Sequence, residues 1–246
     1  MKEADHQALL ERIYLHHDRW LATLRLACGP GCASCCTQSV TMTSLEGARL
    51  LDFLRRAGRE NELAALPWTE GAAGKVPLTT NGFAAACLRG EEPEEAEAAA
   101  QWDFTPCPFL RGQRCSVYPA RPFACRAFVS QQNCAATGSA QVAPQTVTVN
   151  TVFLQLVEHL GQGGQWGKMA AVLAWLRRES QGTAELGAEN MTDTPKMELG
   201  ASLRVAEPLP GLLIPPGEEM AVNAILGPLL RDTIQGRSVA ELLGLA

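Results

Sequence analysis

The chain has 246 residues, 46% of them hydrophobic and 19% charged, with a formal net charge of −5. That is enough apolar chain to bury a sizeable core and too much for global disorder. An acidic balance with no basic stripe argues against binding a phosphate backbone, which needs concentrated positive charge, so no nucleic-acid partner is expected.

The residues from Met1 to His6 are polar, and Arg12, Asp18, Arg19 and Arg25 interrupt any apolar run. Neither a secretory signal nor the ~20-residue apolar stretch of a membrane helix is legible. The expectation is a cytoplasmic protein with no membrane partner. In a reducing compartment, nine cysteines read as metal ligands or reactive thiols rather than disulfides, and the odd count forbids complete pairing.

In chain order, Leu9, Leu10, Ile13, Leu15, Trp20, Leu21 and Leu24 recur near a helical period, which predicts an amphipathic helix over 5–26. His16 and His17 on it are read as solvated or core-edge positions rather than ligands. The helix delivers the chain to Cys28, Cys32, Cys35 and Cys36, four thiols in nine residues, with Gly29-Pro30-Gly31 giving the backbone room to curl. A short β-prone run, 37–42, follows. Thr43 and Glu46 then have the spacing of a capping box, opening a helix over about 44–57. A shorter helix is expected over 60–66, stopped by Pro67. Thr79-Thr80-Asn81-Gly82 reads as a turn. The acidic run of Glu91, Glu92, Glu94, Glu95 and Glu97 reads as a solvated face.

The second cysteine cluster holds Cys107, Cys115 and Cys125, stiffened by Pro106, Pro108, Pro119 and Pro122. It reads as a ligand loop rather than a core helix or strand. Phe109, Tyr118, Phe123 and Phe128 are candidates to wall a site from water. Arg114, Arg121 and Arg126 would put positive charge beside thiolates, lowering their pKa values and offsetting a negative cluster. Helices are predicted over about 145–160 and 166–180, joined by a Gly161–Gly164 linker. A mobile connector is expected near 181–200. A proline-rich stretch, a helix over about 217–230 and a capping box at Ser238 and Glu241 complete the chain.

Metal ligation by thiolate needs several donors from segments able to surround an ion. Cys32 and Cys35 have a chelating spacing and Cys36 adds an adjacent donor. With Cys28, Cys107, Cys115 and Cys125 the candidate ligands number seven, a set that favours a polynuclear centre over one structural zinc ion. Cys87 and Cys134 lie outside the two clusters and read as buried small hydrophobes or free thiols.

At these residues the chain resembles the cysteine-cluster family of zinc- or iron-chelating domains, whose signature is CxxCxxCC. The second half of that pattern is matched by Cys107-Pro108-Phe109-Leu110, Cys115-Ser116-Val117-Tyr118, Arg121-Pro122 and Cys125-Arg126-Ala127-Phe128. The resemblance spans about residues 25–130. One departure is that three residues, rather than two, separate Cys28 from Cys32. The resemblance implies metal binding and little else; it is the all-cysteine donor set, larger than four, that reads as an iron–sulfur cluster (4Fe–4S foremost) ahead of zinc. Flagellin lysine N-methylases carry a similar module, which implies an enzymatic alternative acting on a protein substrate; a zinc-stabilised interaction module with a protein partner is the third reading. No catalytic residue stands out, and no glycine-rich nucleotide loop is seen.

The expected fold is mainly α, an irregular helical arrangement with cysteine-rich metal-binding loops and little or no β-sheet. Residues 1–140 would form the metal-binding domain and 141–246 a helical region packed on it.

Overall fold

The computed structural model describes residues 3–66, 78–92, 104–180 and 202–245. The acidic run beyond Glu92, Trp102 and the connector near 181–200 lie outside the described residues. The fold is mainly helical, with helices α1 (Glu3–Leu21), α2 (Ser44–Arg56), α3 (Thr80–Leu88), α4 (Phe123–Ala127), α5 (Cys134–Thr137), α6 (Pro144–Leu160), α7 (Met169–Ser180), α8 (Glu219–Arg231) and α9 (Val239–Leu243).

Two apolar clusters organise it. In the first, Leu9, Leu10, Ile13 and Tyr14 of α1 pack with Val149, Val152, Phe153 and Leu156 of α6, Val222, Leu226 and Leu229 of α8, and Phe123 of α4. Each such aliphatic or aromatic side chain stabilises the fold by roughly 1.5–3 kcal/mol on burial. In the second, Leu50 and Leu54 of α2 meet Val172 and Leu173 of α7, together with Val40, Met42 and Phe109. Cys107, Cys115 and Cys125 pack partly against this second cluster.

More strand is present than the sequence suggests. Strand β1 (Thr41–Thr43) pairs antiparallel with β4 (Gln165–Lys168), which pairs antiparallel with β5 (Leu203–Val205). Two further hairpins join β2 (Leu110–Arg111) to β3 (Arg114–Cys115) and β6 (Thr233–Ile234) to β7 (Arg237–Ser238). The expected linker at Gly161–Gly164 therefore leads into a strand, and α7 begins at Met169 instead of 166. Gly167 is needed there, because a Cβ would lie 2.7 Å from the carbonyl oxygen of Ser202 across the β4–β5 ladder.

Local signals set the helix starts. Thr43 caps α2 and Glu46 completes the reciprocal capping box, as Ser238 and Glu241 do for α9. Thr79 is also a cap: its side chain accepts from the Gly82 N–H and starts α3, so the turn expected at 79–82 is a helix's first turn. The 60–66 segment is a 3-10 helix, Glu60–Ala65. Helix α1 stops at Leu21, about a turn before the expected end, and residues 22–40 form the first cysteine loop. No helix among the described residues is long and apolar enough to cross a membrane.

Candidate metal centre

The two cysteine segments are tied together by backbone. Thr37 forms an antiparallel bridge with Pro106, Gln38 N–H donates to the Thr105 carbonyl at 3.0 Å, and Cys107 N–H donates to the Cys36 carbonyl at 2.9 Å. Around this junction lies a cavity of about 420 Å³ lined by all seven predicted ligands: Cys28, Cys32, Cys35, Cys36, Cys107, Cys115 and Cys125. Cys87 and Cys134 are not in its lining.

Each thiol is positioned by a different local device. The first loop is wound by tight turns in which Cys32 N–H donates to Gly29 O and Cys36 N–H to Ala33 O, both at 3.0 Å. Gly31 there has φ +100°, a conformation that side-chain-bearing residues rarely adopt. Cys28 is anchored to the opposite wall: its sulfur accepts the Ser130 N–H at 3.1 Å, and Ala27 N–H donates to Ser130 O at 2.8 Å. Cys107 begins a turn closed by Leu110 N–H, and Cys115 ends the β2–β3 hairpin directly opposite Leu110.

Two details correct the expectation of plain loops. Cys115 sits on strand β3 and Cys125 on helix α4. The start of α4 is fixed by Glu46, whose carboxylate accepts the Phe123 N–H at 2.6 Å. Its end is held where Asn150 Nδ2 donates to Ala127 O at 2.9 Å. Of the four aromatic residues expected to wall the site, Tyr118 and Phe128 line the cavity, whereas Phe109 and Phe123 are fully buried in the two cores.

The electrostatics also differ from expectation. Burial pushes the Cys107 thiol up to about 11 and raises Cys28, Cys115 and Cys125. Arg121 and Arg59 pull Cys115 the other way, but desolvation wins. A hydrogen bond with the Cys36 thiol, followed by burial, holds Cys35 far above the ordinary thiol range. The neighbouring arginines therefore do not make these metal-free thiols into thiolates. Of the three arginines, Arg121 and Arg126 reach the cavity and Arg114 does not.

Sequence reasoning missed Asp18, Leu21 and Ala22, which line the cavity from the last turn of α1. Their spacing of three and four residues marks a single helix face and was the available signal. Asp18 Oδ2 pairs with Arg126 at 2.6 Å. His16 and His17 do not line the cavity. His16 pairs with Asp232, and His17 is fully buried in the core with its Nε2 2.8 Å from Asn150 Oδ1.

The donor set fits a thiophilic metal. Seven thiols and no imidazole face the cavity, and its single carboxylate is engaged by an arginine. The thiols share the cavity without forming a closed ligand shell: among the described residues no three His, Cys, Asp or Glu side chains are grouped tightly enough to hold an ion as they stand. Binding would draw them inward and release their protons.

Residues 27–145 match the sequence profile of a family described as "CxxCxxCC: Putative zinc- or iron-chelating domain". No curated protein and no solved structure matches the chain significantly.

Proposed function

The chain belongs to the CxxCxxCC family through residues 27–145, and from that premise we propose that it holds a metal centre through thiolates drawn from both cysteine segments. The observation that carries this reading is the shared cavity: two clusters about seventy residues apart in sequence line one space with all seven of their cysteines. An iron–sulfur cluster, 4Fe–4S foremost, stands ahead of zinc, because the candidate donors exceed the four that a single zinc ion takes. In this reading the half-buried Cys36, Cys107, Cys115 and Cys125 sit deepest, and Cys28, held by Ser130, with the exposed Cys32 and Cys35 completes the donor set at the mouth.

Residues 1–140 act as the metal-binding domain and 141–246 as its helical support, a division favoured by the way α6 and α8 back α1 and α4. The role is redox, metal handling or accessory to another protein, in the cytoplasm, where thiols stay reduced. Anaerobic purification followed by metal and acid-labile sulfide analysis is the test. A brown protein with iron and sulfide in equal amounts is the expected result. A colourless protein with one zinc per chain would replace the cluster by a structural ion, and a metal-free chain that takes up neither would defeat the proposal.

A further inference from the structure

We propose that Arg121 is the fixed counter-charge of the thiol cavity, a positioning residue whose guanidinium, stacked on Tyr118 and in no salt bridge with a carboxylate among the described residues, is set there for the negative charge of a thiolate-bound metal. This rests on the metal-binding reading above.

The sequence brings four arginines to the second cysteine segment, and their contacts separate them: Arg111 pairs with Glu62 outside the cavity lining. Arg126 is neutralised: its side chain is 5% exposed, it pairs with Asp18 at 2.6 Å, and its guanidinium lies 4.3 Å from the Tyr14 ring centroid. Arg114 is exposed on the β2–β3 hairpin, outside the cavity lining. Of the two arginines in the cavity lining, Arg121 alone makes no salt bridge among the described residues, and the Asp18 carboxylate that bonds Arg126 acts on it only at longer range. Its guanidinium carbon stands 3.7 Å from the centroid of the Tyr118 ring, and Nη1 donates to the Tyr118 carbonyl at 3.1 Å. The aromatic stack and that bond fix its plane and its place.

Holding a half-buried cation beside another arginine is unfavourable unless something repays it. Burial first, and then Arg126, weaken the hold of Arg121 on its own charge, in agreement with that cost. The missing partner is in the same cavity. Cys115 and Cys125 line it together with Arg121. A divalent ion bound by four thiolates carries net negative charge, and an iron–sulfur cluster gains more on reduction. A guanidinium already in place stabilises those states without reorganisation.

The test compares Arg121→Met and Arg121→Lys with the natural chain. Each is titrated anaerobically with zinc(II) against a chromophoric chelator, and separately reconstituted with ferrous iron and sulfide. Thermal unfolding of the metal-free chains is followed in parallel. Loss of the charge is expected to weaken zinc binding on the order of tenfold or more. It should also lower the midpoint potential of a reconstituted cluster, while Lys restores most of both. The metal-free Met variant should unfold within a few degrees of the natural chain, since an unpaired charge has been removed. Unchanged affinity and potential in the Met variant would overturn the assignment, as would a metal-free Met variant that fails to fold, which would give Arg121 a structural role. A natural chain that binds neither zinc nor iron defeats the metal reading itself, an outcome distinct from either.

Discussion

The backbone N–H of Cys107 donates to the carbonyl of Cys36 at 2.9 Å, so the last thiol of the first cluster and the first thiol of the second are fastened main chain to main chain. Ligands held this way lose little further entropy when a metal arrives. Cys35, beside this junction, is hydrogen-bonded with the Cys36 thiol and lines the cavity with Cys125. Cys35→Ser is expected to abolish metal loading, whereas Cys87→Ser, on α3 away from the cavity, should load normally. Metal content per chain after anaerobic isolation checks both. Normal loading of the Cys35 variant would remove it from the ligand set.

Glu46 joins the fold to the site. Its carboxylate is 3% exposed and accepts from Tyr14 Oη at 2.7 Å, Phe123 N at 2.6 Å and Thr43 N at 2.8 Å. Glu46→Ala strands two buried donors and removes a helix cap, a loss of about 2–4 kcal/mol. Glu46→Gln, which keeps acceptor capacity, should lose less. Urea unfolding measures the difference. Because the Phe123 bond starts the helix bearing Cys125, metal loading should fall with it.

His17 makes stability depend on mild acid. Burial among Trp20, Phe123 and Phe153 lowers its pKa from 6.5 to about 4. Its Nε2 hydrogen is given to Asn150 Oδ1, and its Nδ1 has no partner, so protonation would place a new N–H against apolar rings. The unfolded chain binds this proton more readily than the folded one. The contribution is therefore complete above about pH 6.5 and is lost as pH falls toward 4. It amounts to at most about 3 kcal/mol. Denaturant midpoints of His17→Gln should vary less across that window than those of the natural chain; an identical slope would count against this account.

Asp232 acts at lower pH. His16 and Arg12 both bind it at 2.8 Å and hold its carboxyl at about 2, below its ordinary 3.8. A depressed carboxyl contributes stability above its unfolded value and loses it as pH falls from about 4 to 2. The pair is partly solvated, so the contribution is at most about 1 kcal/mol. Asp232→Asn should lower the neutral-pH midpoint slightly and flatten the acid limb between pH 4 and 2.

Legibility in the sequence followed the range of the interactions. The capping boxes at Thr43 and Ser238, the apolar stripes of α1, α2, α6 and α8, and the cysteine segments are local patterns, and all were readable. Strand β4 was not, because Gln165–Lys168 is made a strand by Thr41–Thr43 and Leu203–Val205, which lie far away in sequence. Thr79 looked like a turn residue because a cap and a turn share the same chemistry, and only the helix beyond distinguishes them. Arg114, Arg121 and Arg126 near the second cluster looked equivalent. Asp18 and Tyr118, which sort them, meet them only in the folded chain.

The most direct measurement is residue-resolved alkylation of the cysteines, metal-loaded against metal-free, read by mass spectrometry. The account predicts that metal protects thiols of both segments together, among them Cys35, Cys107, Cys115 and Cys125, while Cys87 and Cys134 react alike in the two samples. Protection confined to one segment, or absent from both, would contradict a centre shared between them.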